Sequence, residues 1–309
     1  MTSTNDRAAD RADATLPEGL AARPITTDDL DAVVELVNEC ERHDTGEVML
    51  ERADLIADSR ADGFDLERDW VCVRDGGRLV GRGLFVHGRS VWNDVRPSDR
   101  GRGIGTWLCR WSEERAREVG AARLGQTIDD RRADALELLR RAGYVPRRTG
   151  WILRREHPGR PDAPAVPEGI EIRPVRPGEE DAALAVFERA FSEWEDRRAN
   201  ALATWRAMVT EREGFTPDDL VLAVAGERIV GGAFLLDADE IWVDKLAVAR
   251  EERRRGIARA LLQTAFVRSF DRGHRWTTVA TDSDTGALSL YERVGMTVHR
   301  SFTHLALDL

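Results

Sequence analysis

The stretch "EERRRGIARALLQTAF", Glu251–Phe266, sets three consecutive arginines and a glycine in front of an apolar helical run. A second stretch, "DRGRGIGTWL", Asp99–Leu108, alternates two arginines with glycines ahead of a similar run. The first N–H groups of a helix have no partner within it and carry positive partial charge, so they suit a phosphate. A glycine lets the anion come close to the backbone, and arginines add charge around it. Two other phosphate loops are excluded. The P-loop requires G-K-[ST], and the only lysine, Lys245, lies elsewhere. The dinucleotide fingerprint G-x-G-x-x-G fails at Thr106 in one stretch, and the other has a single glycine.

The two stretches belong to a repeat, and repeats decide architecture. "GLAARPITTDDLDAVVELV" from Gly19 is answered by "GIEIRPVRPGEEDAALAVF" from Gly169, an offset of 150. "GRLVG" ending at Gly81 is answered by "ERIVG" ending at Gly231, again 150. Arg100 pairs with Arg253 at 153, and "LLRRAGY" with "LYERVGM" at 152 through Gly143 and Gly295. Four matches in one order at near-constant spacing mark two diverged copies of one domain. The expected division is a disordered tail over 1–18, a first domain over 19–156, a Pro-rich linker over 157–168 and a second domain over 169–309.

Each copy reads as an α/β domain with a mixed sheet. In the second, "LVLAVAG", "RIVGGAFLL" and "EIWVDKLAVA" are strands separated by Gly or Asp turns. The run "ARALLQTAFVRSF" has helical apolar spacing. The strand "RWTTVATDS", the helix "TGALSLYERVG" and a last strand "THLALDL" follow.

Composition limits the function. The net charge of −10 opposes non-specific nucleic-acid binding, and no aromatic residue interleaves the arginines to stack bases. Cys40, Cys72 and Cys109 have neither disulfide nor zinc spacing. The N-terminus has no apolar signal core, and no run reaches the length of a membrane span. A soluble cytoplasmic protein without metal is expected.

The pattern [QR]-x-x-G-x-[GA] between a strand and a helix resembles the pyrophosphate loop of the GCN5-related N-acetyltransferase (GNAT) superfamily. "DSDTGALSLYERVGM", Asp282–Met296, resembles its N-x-x-A-x-x-L-Y-x-x-x-G-[FM] element. Both copies carry the resemblance, over 20–309, and the doubling is similar to two-domain members of the superfamily. The implied fold is two tandem domains, each a mixed, mostly antiparallel twisted sheet flanked by helices, with a splayed parallel strand pair. The implied cosubstrate is acetyl-CoA, its pyrophosphate on the loop of Arg253, Arg254, Arg255, Gly256, Ile257, Ala258 and Arg259. Its pantetheine arm is expected along Leu246, Ala247 and Val248, near Asp284 and Ala287. The corresponding positions of the first copy are Val95, Arg100, Gly101, Arg102, Gly103, Ile104, Gly105 and Thr106.

The resemblance also implies that Tyr291, one of two tyrosines, is the general acid that protonates the leaving thiolate. In the first copy Leu139 stands at that place, so the first copy is expected to be degenerate and the second catalytic. Asp284 replaces the family's Asn and is expected to cap the next helix. For the base, Glu240 and Asp244 share one strand face beside Trp242, and Glu193 and Glu195 form a second candidate rim. The expected acceptor is a small-molecule primary amine, and the expected assembly a monomer with internal pseudo-symmetry or a homodimer. A non-catalytic CoA-binding scaffold, or transfer of another acyl group, is the alternative.

Overall fold

The computed structural model describes residues 15–48, 55, 64–86, 88–193 and 199–309. Two compact units emerge, one of Met1–Arg148 with Phe302–Leu309, the other of Thr149–Ser301.

In the first unit, β1 (Leu20–Pro24), β2 (Trp70–Asp75), β3 (Arg78–Val86) and β4 (Ser90–Val95) pair antiparallel in that order. β4 then meets β5 (Arg123–Asp129) in parallel at Ser90 and Gly125 alone. The helices are α1 (Leu30–Thr45), the single turn α2 (Leu66–Asp69), α3 (Ile104–Glu118) and α4 (Ala133–Arg141). α1 forms because Leu30, Val33, Leu36, Val37 and Cys40 make one apolar stripe, which packs on Trp70, Leu79 and Leu84. It stops at Gly46, whose φ of 79° lets its N–H close on the Arg42 carbonyl.

The second unit repeats this plan with β7 (Glu171–Pro174), α5 (Glu180–Phe191), α6 (Leu202–Met208), β8 (Leu220–Ala225), β9 (Arg228–Asp237), β10 (Ile241–Val248), α7 (Ile257–Asp271), β11 (Trp276–Asp282) and α8 (Leu288–Arg293). α5 and α6 bury Phe187, Phe191 and Trp205 against Leu220, Leu222 and Phe234. α7 buries Leu261, Leu262 and Phe266 against Val230, Val243 and Val279. Both units thus have the expected mixed, mostly antiparallel sheet between helices.

β6 (Val145–Glu156) and β12 (Thr297–Asp308) depart from the sequence reading. Gly150–Glu156 of β6 pair antiparallel with β11, inside the second unit. Phe302–Asp308 of β12 pair antiparallel with β5, inside the first. The reading placed these tails in the domains that precede them in sequence. An apolar strand pattern says that a segment pairs, not with which edge.

Candidate active site

Each phosphate-loop candidate follows a single 3₁₀ turn, Pro97–Asp99 or Arg250–Glu252, and each helix opens on a left-handed glycine, Gly103 at φ 85° and Gly256 at φ 88°. The first backbone bonds into the helices are Trp107 N–H to Gly103 and Ala260 N–H to Gly256. The N–H groups of Ile104, Gly105 and Thr106, and of Ile257, Ala258 and Arg259, therefore stand before the first helical bond. No side chain caps either helix and no acid stands in either first turn. These are unopposed positive helix ends.

The arginines divide into two kinds, a division that spacing alone does not reveal. Arg253 donates through Nε to the Val248 carbonyl at 3.1 Å and through both terminal nitrogens to Glu193 at 2.8 and 3.0 Å. Arg100 does the same with the Val95 carbonyl at 3.2 Å and Asp44 at 2.7 and 2.8 Å. Arg255 pairs with the buried Glu252, which also receives Arg228 at 2.8 Å. Arg102 likewise pairs with Asp99, which receives Arg78 at 3.1 Å. These four arginines brace the loops. Arg254 and Arg259 are exposed and have no acidic partner among the described residues. At an offset of 153 they replace Gly101 and Thr106. Arg254 is also the only non-glycine residue at positive φ, 63°, among the described residues. A left-handed backbone costs an L-residue about 1–2 kcal/mol, and such strain collects at functional sites. The second loop thus offers two more uncommitted cations than the first.

The strands beside the loop separate. β10 and β11 pair in parallel through Ile241–Thr277, Trp242–Thr278 and Val243–Val279, then run on to Val248 and Asp282 without pairing each other. The register of β10 against β9 slips by one between Val243 and Lys245, leaving Asp244 in a bulge at the head of the splay. Such bulges re-aim backbone and side chains next to sites. β4 pairs with β3 without a slip, so the first copy lacks this device. Leu246 and Ala258 pack against the same core as Tyr291, Val243, Val279, Val248 and Ile257. The phenol, the splayed strand and the helix start are thereby gathered in one cluster.

Tyr291 is 6% exposed, and burial pushes its phenol up to about 12. It keeps its proton at neutral pH, as a general acid must. Leu139, its counterpart, is a core residue of the first unit. Glu240 is buried, and its Oε1 accepts from Arg154 Nη2 at 3.0 Å. Asp244 is exposed and pairs with Lys245 at 2.7 Å. Glu193 is committed to Arg253, and Glu195 lies outside the described residues. α8 opens on Ala287 without a side-chain cap, so the capping expected of Asp284 is not made, and local bonds hold the turn before the helix. The Ala287 N–H donates to Thr285 Oγ1 at 3.2 Å, and the N–H groups of Asp284 and Thr285 donate to Asp282 at 3.1 and 3.2 Å. Arg154 was invisible to sequence reading because Glu240 is 86 residues away.

All three cysteines are buried, and burial pushes Cys40 and Cys109 up to about 12. They remain thiols at neutral pH, poor nucleophiles, so nothing favours an acyl-cysteine route. Among the described residues no His, Cys, Asp and Glu group could hold a metal, and no helix is long and apolar enough to cross a membrane.

The profile of the acetyltransferase (GNAT) family matches residues 30–144 and again 181–296. A mycothiol acetyltransferase of Actinosynnema mirum is 30% identical over 228 residues, covering 69% of this chain and 73% of its own. One from Kytococcus sedentarius is 28% identical over 284 residues, covering 88% and 91%. Among solved structures, a GCN5-related N-acetyltransferase from Sphaerobacter thermophilus aligns with a TM-score of 0.81 at 31% identity, covering 95% of this chain and 97% of its own. A tandem GNAT protein from the clavulanic acid biosynthesis pathway aligns at 0.71 with 17% identity, covering 94% and 98%, a likeness of fold.

Proposed function

Because the chain belongs to the acetyltransferase (GNAT) family and is an acetyl-CoA-dependent N-acetyltransferase, we propose that its second copy acetylates a primary amine of a small molecule by direct transfer. The pyrophosphate of acetyl-CoA sits on the N–H groups of Ile257, Ala258 and Arg259, with Arg254 and Arg259 supplying charge. Arg253 and Arg255 hold the loop in shape. The pantetheine arm enters the splay along Leu246, Ala247 and Val248, with Asp284 and Ala287 on the opposite side. The amine nitrogen attacks the thioester carbonyl carbon, a C–N bond forms, and the C–S bond breaks as the tetrahedral intermediate collapses. Tyr291 gives its proton to the departing sulfur, and the nitrogen's proton passes to Glu240, with Asp244 as the second acid near the acceptor. The first copy keeps its loop around Gly103 but lacks the acid, the bulge and the free arginines, and serves as a structural or CoA-binding partner.

The observation that carries this reading is the buried, protonated Tyr291 in one cluster with the splayed strand and the helix start. The relatives named mycothiol acetyltransferase make desacetylated mycothiol the first acceptor to assay. Glucosamine and ethanolamine complete a panel, with release of the CoA thiol as readout. Transfer to a panel amine by the native chain, lost in Tyr291→Phe, is the expected result. Equal rates in both would remove Tyr291 from the mechanism.

A further inference from the structure

Trp242 and Arg154 are both direct register partners of Thr278, across β10–β11 and β11–β6. Directly opposed residues share one face of a sheet, and Glu240, in the turn before β10, is held at that face by its bond to Arg154. This is the face that carries Leu236, the partner of Trp242, into the core under α5 and α6. It is opposite to the face where Val243, Val279 and Leu153 meet α7. On it the Arg154 guanidinium joins β11, β12 and the turn before β10. Nη2 donates to Glu240 Oε1 at 3.0 Å, Nη1 to His299 Nε2 at 2.9 Å, and Nε to Thr278 Oγ1 at 3.4 Å. The side chains of Arg154 and Glu240 are 21% and 11% exposed. Glu240 Oε2 has no partner among the described residues.

We infer that Arg154 is the positioning residue for Glu240, fixing one carboxylate oxygen so that the other faces the incoming amine. The inference rests on the reading of Glu240 as the proton acceptor. A carboxylate this buried without a cation would pay heavily in lost solvation. Arg154 supplies the cation and, by donating to His299 and Thr278 as well, denies the pair rotational freedom. A single open oxygen then holds the neutral amine by its N–H and takes the proton that the nitrogen sheds as it attacks. Arg154 comes from β6, which lies before the linker, so the repeat over 169–309 does not by itself contain its complete acceptor site.

The test is a double-mutant cycle in the full chain, with the best acceptor of the panel above and saturating acetyl-CoA. Arg154→Ala should lower kcat/KM for the amine by about tenfold or more, mostly through KM, with acetyl-CoA affinity unchanged. Arg154→Lys, which keeps the charge, should recover part of the loss. In a Glu240→Ala background, Arg154→Ala should cost nothing further, because a positioning residue has no role without its target. Should the alanine variant not fold, Arg154→Lys with and without Glu240→Ala closes the same cycle. Native kcat/KM in Arg154→Ala, or an undiminished loss in the Glu240→Ala background, overturns the positioning role. Native activity in Glu240→Ala overturns the proton-acceptor reading itself, while the Tyr291→Phe test stands independently.

Discussion

Gly256 gives the sharpest test of the cofactor loop, because stability and binding should respond in opposite senses. Its φ is 88°, and a Cβ there would meet only Pro167 Cγ, at 3.6 Å, an ordinary contact. Gly256→Ala therefore bears the backbone cost alone. That is about 1–2 kcal/mol for a left-handed L-residue, reduced by about 0.4–1 kcal/mol because alanine restricts the unfolded chain. A net loss near ~1 kcal/mol lowers Tm by about 2–4 °C for a unit of this size. Gly256→Glu bears the same backbone cost, but a carboxylate at a helix N-terminus returns about 0.3–1 kcal/mol. It should be no less stable than the alanine variant. Binding is another matter, since that carboxylate occupies the place of the pyrophosphate. Two like charges about 4 Å apart near a protein surface repel by about 4 kcal/mol, roughly three orders of magnitude in affinity. Thermal unfolding without ligand and calorimetry with acetyl-CoA read the two quantities separately. Equal affinities in the two variants, or a glutamate variant clearly less stable than the alanine one, would refute the loop as the phosphate site.

The remaining predictions concern the acid, the first copy and pH. Tyr291→Phe should lower kcat by roughly 10²–10⁴ and leave acetyl-CoA affinity unchanged, as measured by single-turnover kinetics and calorimetry. Gly103→Glu should destabilise more than its counterpart at Gly256, because its Cβ would come within 3.2 Å of Pro17 Cγ. Acetyl transfer should nevertheless survive it, and its loss in a folded protein would move the active site to the first copy. Burial, with Arg155 adding repulsion, pushes His157 down to about 4 from its ordinary 6.5. The unfolded chain then binds the extra proton first, so stability should fall as pH drops from about 6.5 towards 4. His157→Gln should flatten that limb of a Tm-against-pH curve.

Local signals were readable because they are local. The doubled loop, the helical spacing of Leu261, Leu262 and Phe266, and Tyr291 four residues before Gly295 each lie within a few turns of chain. What escaped reading depends on partners far away in sequence. Arg100 and Arg253 look like phosphate ligands until the fold brings Asp44 and Glu193 to them, across 56 and 60 residues. The bulge at Asp244 is a mismatch between two strands and has no sign in either alone. Arg254, read as one more positive charge, proves to be the strained one, since only backbone angles show that it replaces a left-handed glycine.

The pairing of Phe302–Asp308 with β5 has a consequence for biosynthesis. Synthesis runs from the N-terminus, so β5 emerges from the ribosome long before its neighbour exists. The first unit must wait, with that edge uncovered, while the whole second copy is translated. An open strand edge is a template for wrong pairing, and β6, the strand made next, goes to β11 and leaves it uncovered. The β5 edge therefore closes only once β12 has been made, after most of the second copy has already left the ribosome.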